Sequence, residues 1–370
     1  MKAAATPLQR PVHARLLVID AQGRLRHTDR TRLTDFLRPG DLLVANDAAT
    51  LPGSLRGEHL RSGQAIEARL AGRASLAVHD VRAFTAVLFG AGDHRTPTEL
   101  RPPPPTVQLG DTLELGPLRA TVTRALGHPR LVELRFEGEV DAIWAGIARH
   151  GRPVQYAHVP EPLALWDVWT RIAALPVAFE PPSAGFVLDW GLLTALKTLG
   201  VAFATLTHAA GLSSTGDAEL DARLPLDEPY AIPQTTIDAI VVARRRGGRV
   251  IALGTTVTRA LEHAAARGPL QAGHGRADQR LGPATRLCVV DALLSGTHEA
   301  GTSHYELLRA FASDAVLRRA AEALDANGYL THEFGDSVLL EAAQANAPHP
   351  EASQTRVDQR LKSRKLLLLA

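Results

Sequence analysis

Residues 249–262 read RVIALGTTVTRALE, and this stretch decides the fold class. The run Val250 to Leu253 has strand character, Gly254 interrupts it, and a helix follows from the threonines. A strand running through glycine into a helix is half of an α/β unit. The alternation continues outward. LLTALKTLG (192–200) reads as helix, VAFATLTH (201–208) as strand and TTIDAIVVARRRGG (235–248) as helix. RLCVVDALL (286–294) again reads as strand. One helix is expected through SHYELLRAFASDAVLRRAAEALDA (303–326), with Gly328 as its stop. Near the N-terminus RLLVID (15–20), the turn AQGR and DLLVAND (41–47) read as β structure.

Between Ala65 and Phe136 the pattern is different. AIEARL, FTAVLFG, LRATVTRAL and LVELRF are short runs separated by Gly and Pro clusters such as RPPPP (101–105), without a sustained helical period. The expected organisation is an α/β domain built from both chain ends and interrupted by a small all-β domain. Residues 1–62 form its first part, 63–140 the insert and 141–344 the remainder, with 345–370 a loosely held tail.

At 370 residues the chain exceeds the roughly 250–300 at which a single core stops growing, so two domains are expected. With 45% apolar and 22% charged residues it is neither fibrous nor largely disordered. A net charge of +2 means that a nucleic-acid partner would need a local basic patch. Cys288 is the only cysteine, which excludes intrachain disulfides and thiolate zinc sites; within LCVVDALL it reads as a buried, inert thiol. The N-terminus lacks an apolar stretch of signal length, and no run approaches the roughly 20 residues that span a bilayer. A cytoplasmic protein without a membrane partner, monomeric or weakly dimeric, is expected.

Several places can carry chemistry. The junction Gly254-Thr255-Thr256 presents the free amides of a helix start, which either bind a ligand or form a Thr-capped turn. Arg259 and Glu262, three apart on one helical face, either hold each other or meet a substrate. His208 and His298 each end a strand and enter a loop of small residues, where an imidazole serves either as proton carrier or as a solvated side chain. Ser183-Ala184-Gly185 makes a tight turn. Asn46-Asp47 and Asp336 either cap turns or bind hydroxyls, and ARRRGGR (243–249) is either a phosphate patch or a solvated helix end. No metal motif, P-loop, G-x-S-x-G or dinucleotide fingerprint is present, which removes support from kinase, hydrolase and dehydrogenase readings.

Taken in order, RPGDLLVAND (38–47), PSAGF (182–186), TLTHAAG (205–211), the Glu228-x-Tyr230 pair, RVIALGTTVTRALE, THEAGTSHYELLRAFA and EFGDSVLL resemble the motifs of the S-adenosylmethionine:tRNA ribosyltransferase-isomerase family of queuosine biosynthesis, over residues 15–341. The resemblance implies a barrel-like α/β main domain with an inserted small β-barrel. It also implies transfer and isomerisation of the ribosyl moiety of S-adenosylmethionine, a co-substrate, onto a 7-aminomethyl-7-deazaguanine base in tRNA, giving epoxyqueuosine without a metal. The implied catalytic residues are His208, His298 and Asp47. The implied substrate-binding residues are Asn46, Ser183, Ala184, Gly185, Gly211, Glu228, Tyr230, Gly254, Thr255, Thr256, Arg259, Glu262, Ser303 and Asp336. Where the family carries arginines after Asn-Asp, this chain has Ala48, Ala49 and Ser54, and Glu299 is an added acid. Losing two cations weakens the expected grip on tRNA. A diverged member with a non-tRNA acceptor, or a non-catalytic protein that binds a nucleoside-type small molecule, remain alternatives.

Overall fold

A computed structural model describes residues 1–7, 9 and 14–343; the expected tail at 345–370 lies outside the described residues. The main sheet has nine strands: β1 (Arg15–Ile19), β2 (Leu25–Asp29), β3 (Leu42–Asn46), β4 (Ala202–His208), β5 (Glu228–Ile232), β6 (Val250–Leu253), β7 (Gly273–Ala277), β8 (Ala292–Gly296) and β9 (Ser337–Glu341). Their spatial order is β7-β5-β4-β3-β6-β8-β9-β1-β2, an open sheet with β7 and β2 at its edges. The central strands β4, β3, β6 and β8 run parallel.

Every residue of β3 and β6 is buried, as parallel strands covered on both faces must be. Alternate side chains enter separate cores. Leu42, Val44, Val250 and Ala252 pack with Ile237, Ile240, Val257, Leu261 and Leu324 from helices α2 (Gln234–Arg245), α3 (Thr255–Ala266) and α5 (Asp314–Ala326). Leu43, Ala45, Ile251 and Leu253 pack with Leu196 of α1 (Trp190–Leu199). Arg249, just before β6, reaches Asp41 and Glu341 at 2.6 Å each, tying β3, β6 and β9 together.

The inserted module is a closed antiparallel barrel of six strands, Ser54–His59, Gln64–Gly72, Ala83–Phe89, Thr112–Leu115, Leu118–His128 and Leu131–Phe136. The strand at 54–59 pairs with those at 64–72 and 112–115, so residue 62 falls in the turn of a barrel hairpin. Gly57 lies where the barrel closes, and a side chain there would collide with the Glu114 carbonyl. Ile143 and Ile147, from the helix Val140–His150, pack into the barrel core.

Two expected elements differ. The single helix over 303–326 is two, α4 (Ser303–Leu308) and α5, because Phe311 turns into the core between them; Arg309 spans the break with Glu306 at 2.7 Å and Asp314 at 2.8 Å. RLCVVDALL is strand only from Ala292, because the amides of Cys288, Val289 and Val290 donate to the Glu262 carboxylate and not to a neighbouring strand. The turn this creates leaves Cys288 exposed, against the expected buried thiol. Partial desolvation beside the chain and the nearby Glu262 nonetheless raise its pKa, so it is no activated thiolate.

Candidate active site

A cleft of about 650 Å³ opens at the carboxyl ends of the parallel strands, where open α/β sheets bind ligands. Loops that follow three of these strands line it: Ala210–Ser214 after β4, Gly254–Thr256 after β6, and Thr297–Glu299 after β8. Arg69 and Pro97–Glu99 come from the barrel, Val154–His158 from the segment after it, and Thr331–Glu333 from the approach to β9.

Gly254 has a φ of 99°, and an added Cβ would lie 3.3 Å from Ala184. It therefore shapes the junction and brings the Ser183-Ala184 turn against the start of α3. No side chain caps this helix, so the reading of a threonine cap gives way and the first amides remain available to a ligand.

Of the expected binding residues, Ser183, Ala184, Gly211, Glu228, Gly254, Thr255, Thr256, Arg259 and Ser303 line the cleft. Arg259 is already engaged: its guanidinium pairs with Glu228 and donates to the carbonyls of Leu226 at 3.0 Å, Ala277 at 2.8 Å and Gln279 at 3.0 Å. Glu228 also accepts the Gly211 amide at 2.5 Å. Burial pushes its carboxyl upward while Arg259 and that amide pull it down. This pair shapes the wall and leaves no free guanidinium for substrate.

The remaining expected residues serve as braces. Asn46 donates to the His208 carbonyl at 2.9 Å and accepts its amide at 3.0 Å. Asp47, expected to be catalytic, instead accepts the hydroxyls of Thr205 at 2.8 Å and Thr207 at 2.6 Å on β4. Gly185 gives Thr170 room, since a Cβ there would come within 2.9 Å of its methyl. Tyr230 bonds His263 at 2.8 Å, Glu262 holds the turn before β8, and Asp336 accepts the amides of Arg15 at 2.7 Å and Leu330 at 2.8 Å.

The two histidines separate. His208 is fully buried behind Glu228, 3.4 Å from its carboxylate, and is not part of the cleft surface. Burial, reinforced by Arg259, drops its pKa to about 3, and because the ring is sealed from the cleft, where no substrate can reach it, a role as direct proton carrier gives way to a packed structural one. His298 does line the cleft. Its Nε2 lies 2.7 Å from the Ser295 hydroxyl, and its ring stacks on His304 at 4.9 Å. Burial and the neighbouring His304 and His332 hold it neutral, and burial with Arg259 lowers His304 to about 4.

Residue patterns alone did not single out Tyr156, His158, Glu180, His332 or Glu333, which line the same cleft. Burial and Glu333 push the Glu180 carboxyl up to about 8, and burial with His332 lowers His158 to about 4. Glu180 directly precedes the Pro-Pro of the quoted turn, and His332-Glu333 precede Phe334-Gly335-Asp336. Adjacency to recognisable motifs was the available signal.

The positions where the family resemblance leads one to expect arginines carry none, and in this chain they lie beneath the surface. Ala48, Ala49 and Ser54 are buried, and the Ser54 hydroxyl donates to Glu67 at 2.9 Å, which also binds Arg69 at 2.6 Å and Arg101 at 2.8 Å. In ARRRGGR, Arg244 pairs with Asp291 and Arg249 with Asp41 and Glu341, while Arg245 and Arg246 are exposed. Among the described residues no helix is long and apolar enough to cross a membrane.

A family model described as "Queuosine biosynthesis protein" matches residues 1–340. The chain is 31% identical over 348 residues to the S-adenosylmethionine:tRNA ribosyltransferase-isomerase of Azoarcus sp., covering 91% of this chain and 93% of that one. It is 33% identical over 355 residues to the enzyme of the same name from Gloeobacter violaceus, covering 91% and 92%. The crystal structure of S-adenosylmethionine tRNA ribosyltransferase from Thermotoga maritima aligns over 92% of this chain and 95% of that one, at 22% identity and a TM-score of 0.47.

Proposed function

Because the chain belongs to the queuosine biosynthesis protein family, we propose that it transfers and isomerises the ribosyl moiety of S-adenosylmethionine onto a 7-aminomethyl-7-deazaguanine base in tRNA, giving epoxyqueuosine. The observation that carries this reading is the family match over residues 1–340. The cleft supports it, with room for a nucleoside and free helix amides at Thr255 and Thr256 suited to ribose hydroxyls or a carboxylate.

In this reaction the sulfonium acidifies the ribose C5′ protons, a base takes one, and adenine departs. The amine of the acceptor base then attacks the sugar, and closure to the epoxycyclopentanediol expels methionine. We assign the proton-carrying role to His298. A neutral imidazole has a free lone pair, and the Ser295 hydroxyl 2.7 Å away fixes the ring's orientation. The names of the relatives supply the acceptor in this reading: they are S-adenosylmethionine:tRNA ribosyltransferase-isomerases.

The test is nucleoside mass analysis of tRNA carrying the aminomethyl-deazaguanine base after incubation with the protein and S-adenosylmethionine. Appearance of epoxyqueuosine is expected. S-adenosylmethionine consumed while the tRNA stays unmodified would transfer the activity to another acceptor.

A further inference from the structure

Tyr156, His158, Glu180, His332 and Glu333 form a wall of the cleft that the assignments above leave unused. Three of its rings form a stack: Tyr156 on His158 at 5.5 Å and 24°, and His158 on His332 at 4.4 Å and 27°. The Tyr156 hydroxyl, His158 Nε2 and Glu333 Oε2 are buried without hydrogen-bond partners among the described residues, although such groups are normally paired. The 3.8 Å between the last two is too long for a hydrogen bond. His332 has a φ of 68°, alone among the described non-glycine residues in taking a positive value. Strain of this kind concentrates at functional sites.

The chemistry of the wall selects a cation. Glu180 and Glu333 are near enough to act on one another, and Arg69, whose charge reaches Glu180, is held by Glu67 at 2.6 Å and lies over the Phe89 ring. Two largely buried carboxyls without a dedicated counter-charge, beside a stack of aromatic faces, suit a positive ligand, whose charge favours their ionised form once it is seated. A divalent metal is one candidate, since donor atoms of His158, His332 and Glu333 lie within 4.8 Å of one another. An imidazole lone pair lies in its ring plane, however, and two rings stacked face to face cannot both aim at one ion. A diffuse organic cation that needs no donated lone pair fits the stack as it stands.

We propose that this wall seats the sulfonium centre of S-adenosylmethionine, with Glu180 and Glu333 as counter-charges and the Tyr156–His158–His332 stack as its π surface. The proposal rests on the reading that S-adenosylmethionine is the co-substrate. A sulfonium carries full charge but no N–H or O–H, so carboxylates and ring faces are what can distinguish it from a thioether.

The experiment is calorimetric titration of the full chain, and of its Glu333→Gln and Glu180→Gln/Glu333→Gln variants, with S-adenosylmethionine, S-adenosylhomocysteine and methylthioadenosine. The wild type should prefer the sulfonium over the homocysteine thioether by about tenfold or more, and the double variant should bring the two within about twofold. Methylthioadenosine, a neutral nucleoside, should bind all three proteins alike, showing that the variants keep their fold and nucleoside pocket. Equal binding of sulfonium and thioether by the wild type, or an undiminished preference in the double variant, overturns the proposal while leaving the co-substrate intact. Failure of the wild type to bind S-adenosylmethionine overturns the co-substrate reading itself. Binding of one zinc ion per chain that is lost in Glu333→Gln and competes with S-adenosylmethionine would replace the sulfonium seat by a metal site.

Discussion

At the residue scale, burial sorts the candidates that sequence position presented as equals. His208 and His298 both follow strands and precede small-residue loops, yet one is sealed behind Glu228 and the other lines the cleft. Replacing His298 by alanine should lower kcat by roughly 10²- to 10⁴-fold with S-adenosylmethionine affinity nearly unchanged; steady-state kinetics showing equal losses in binding and rate would make it a binding residue. Glu180 gives a pH signature. Its folded-state pKa of about 8 stands above the usual 4.5 because of burial and Glu333, while the Ser213 amide and Arg69 oppose the shift. Below 4.5 both states hold the proton, and between 4.5 and 8 only the folded state does, so this group makes stability fall as pH rises through that window. Glu180→Gln should therefore gain on the order of 3 kcal/mol relative to wild type between pH 5 and pH 8, measured by denaturant unfolding. Breaking the buried Glu228–Arg259 pair with Arg259→Met should cost about 3–5 kcal/mol by the same assay, because a carboxylate is left without its partner.

At the scale of elements, the strand and helix around Gly254 were legible because apolar runs, a glycine break and helical spacing agree there. The interrupted helix was not: both halves carry helical spacing, and only the burial of Phe311 forces the turn between them. The strand expected at RLCVVDALL shortens because a carboxylate distant in sequence, Glu262, takes its amides. The same element carries a prediction. Gly254→Ala meets both a positive φ and Ala184, and should lower stability by about 1–3 kcal/mol and weaken S-adenosylmethionine binding. Gly247→Ala, at φ 70° with nothing near its Cβ, should cost about 1 kcal/mol and leave binding unchanged. Thermal unfolding and titration of the two variants separate backbone strain from loss of the ligand junction.

At the scale of the whole molecule, the α/β alternation and an all-β insert were readable from periodicity and the insert's closure into a barrel from the family resemblance, whereas the cleft was only partly so. The sheet's half announces itself in motifs at strand ends. The wall of Tyr156, His158, Glu180, His332 and Glu333 gathers residues from separate segments, and no local spacing can display such a juxtaposition. The barrel lends Arg69 to the same cleft, so the inserted module helps build the site. The most direct test of the central claim is to quantify adenine and methionine after mixing the full chain with S-adenosylmethionine and tRNA, either carrying the aminomethyl-deazaguanine base or carrying guanine in its place. Ribosyl transfer with isomerisation predicts equal amounts of the two products with the modified tRNA alone; S-adenosylmethionine that binds yet releases no adenine in its presence would contradict it.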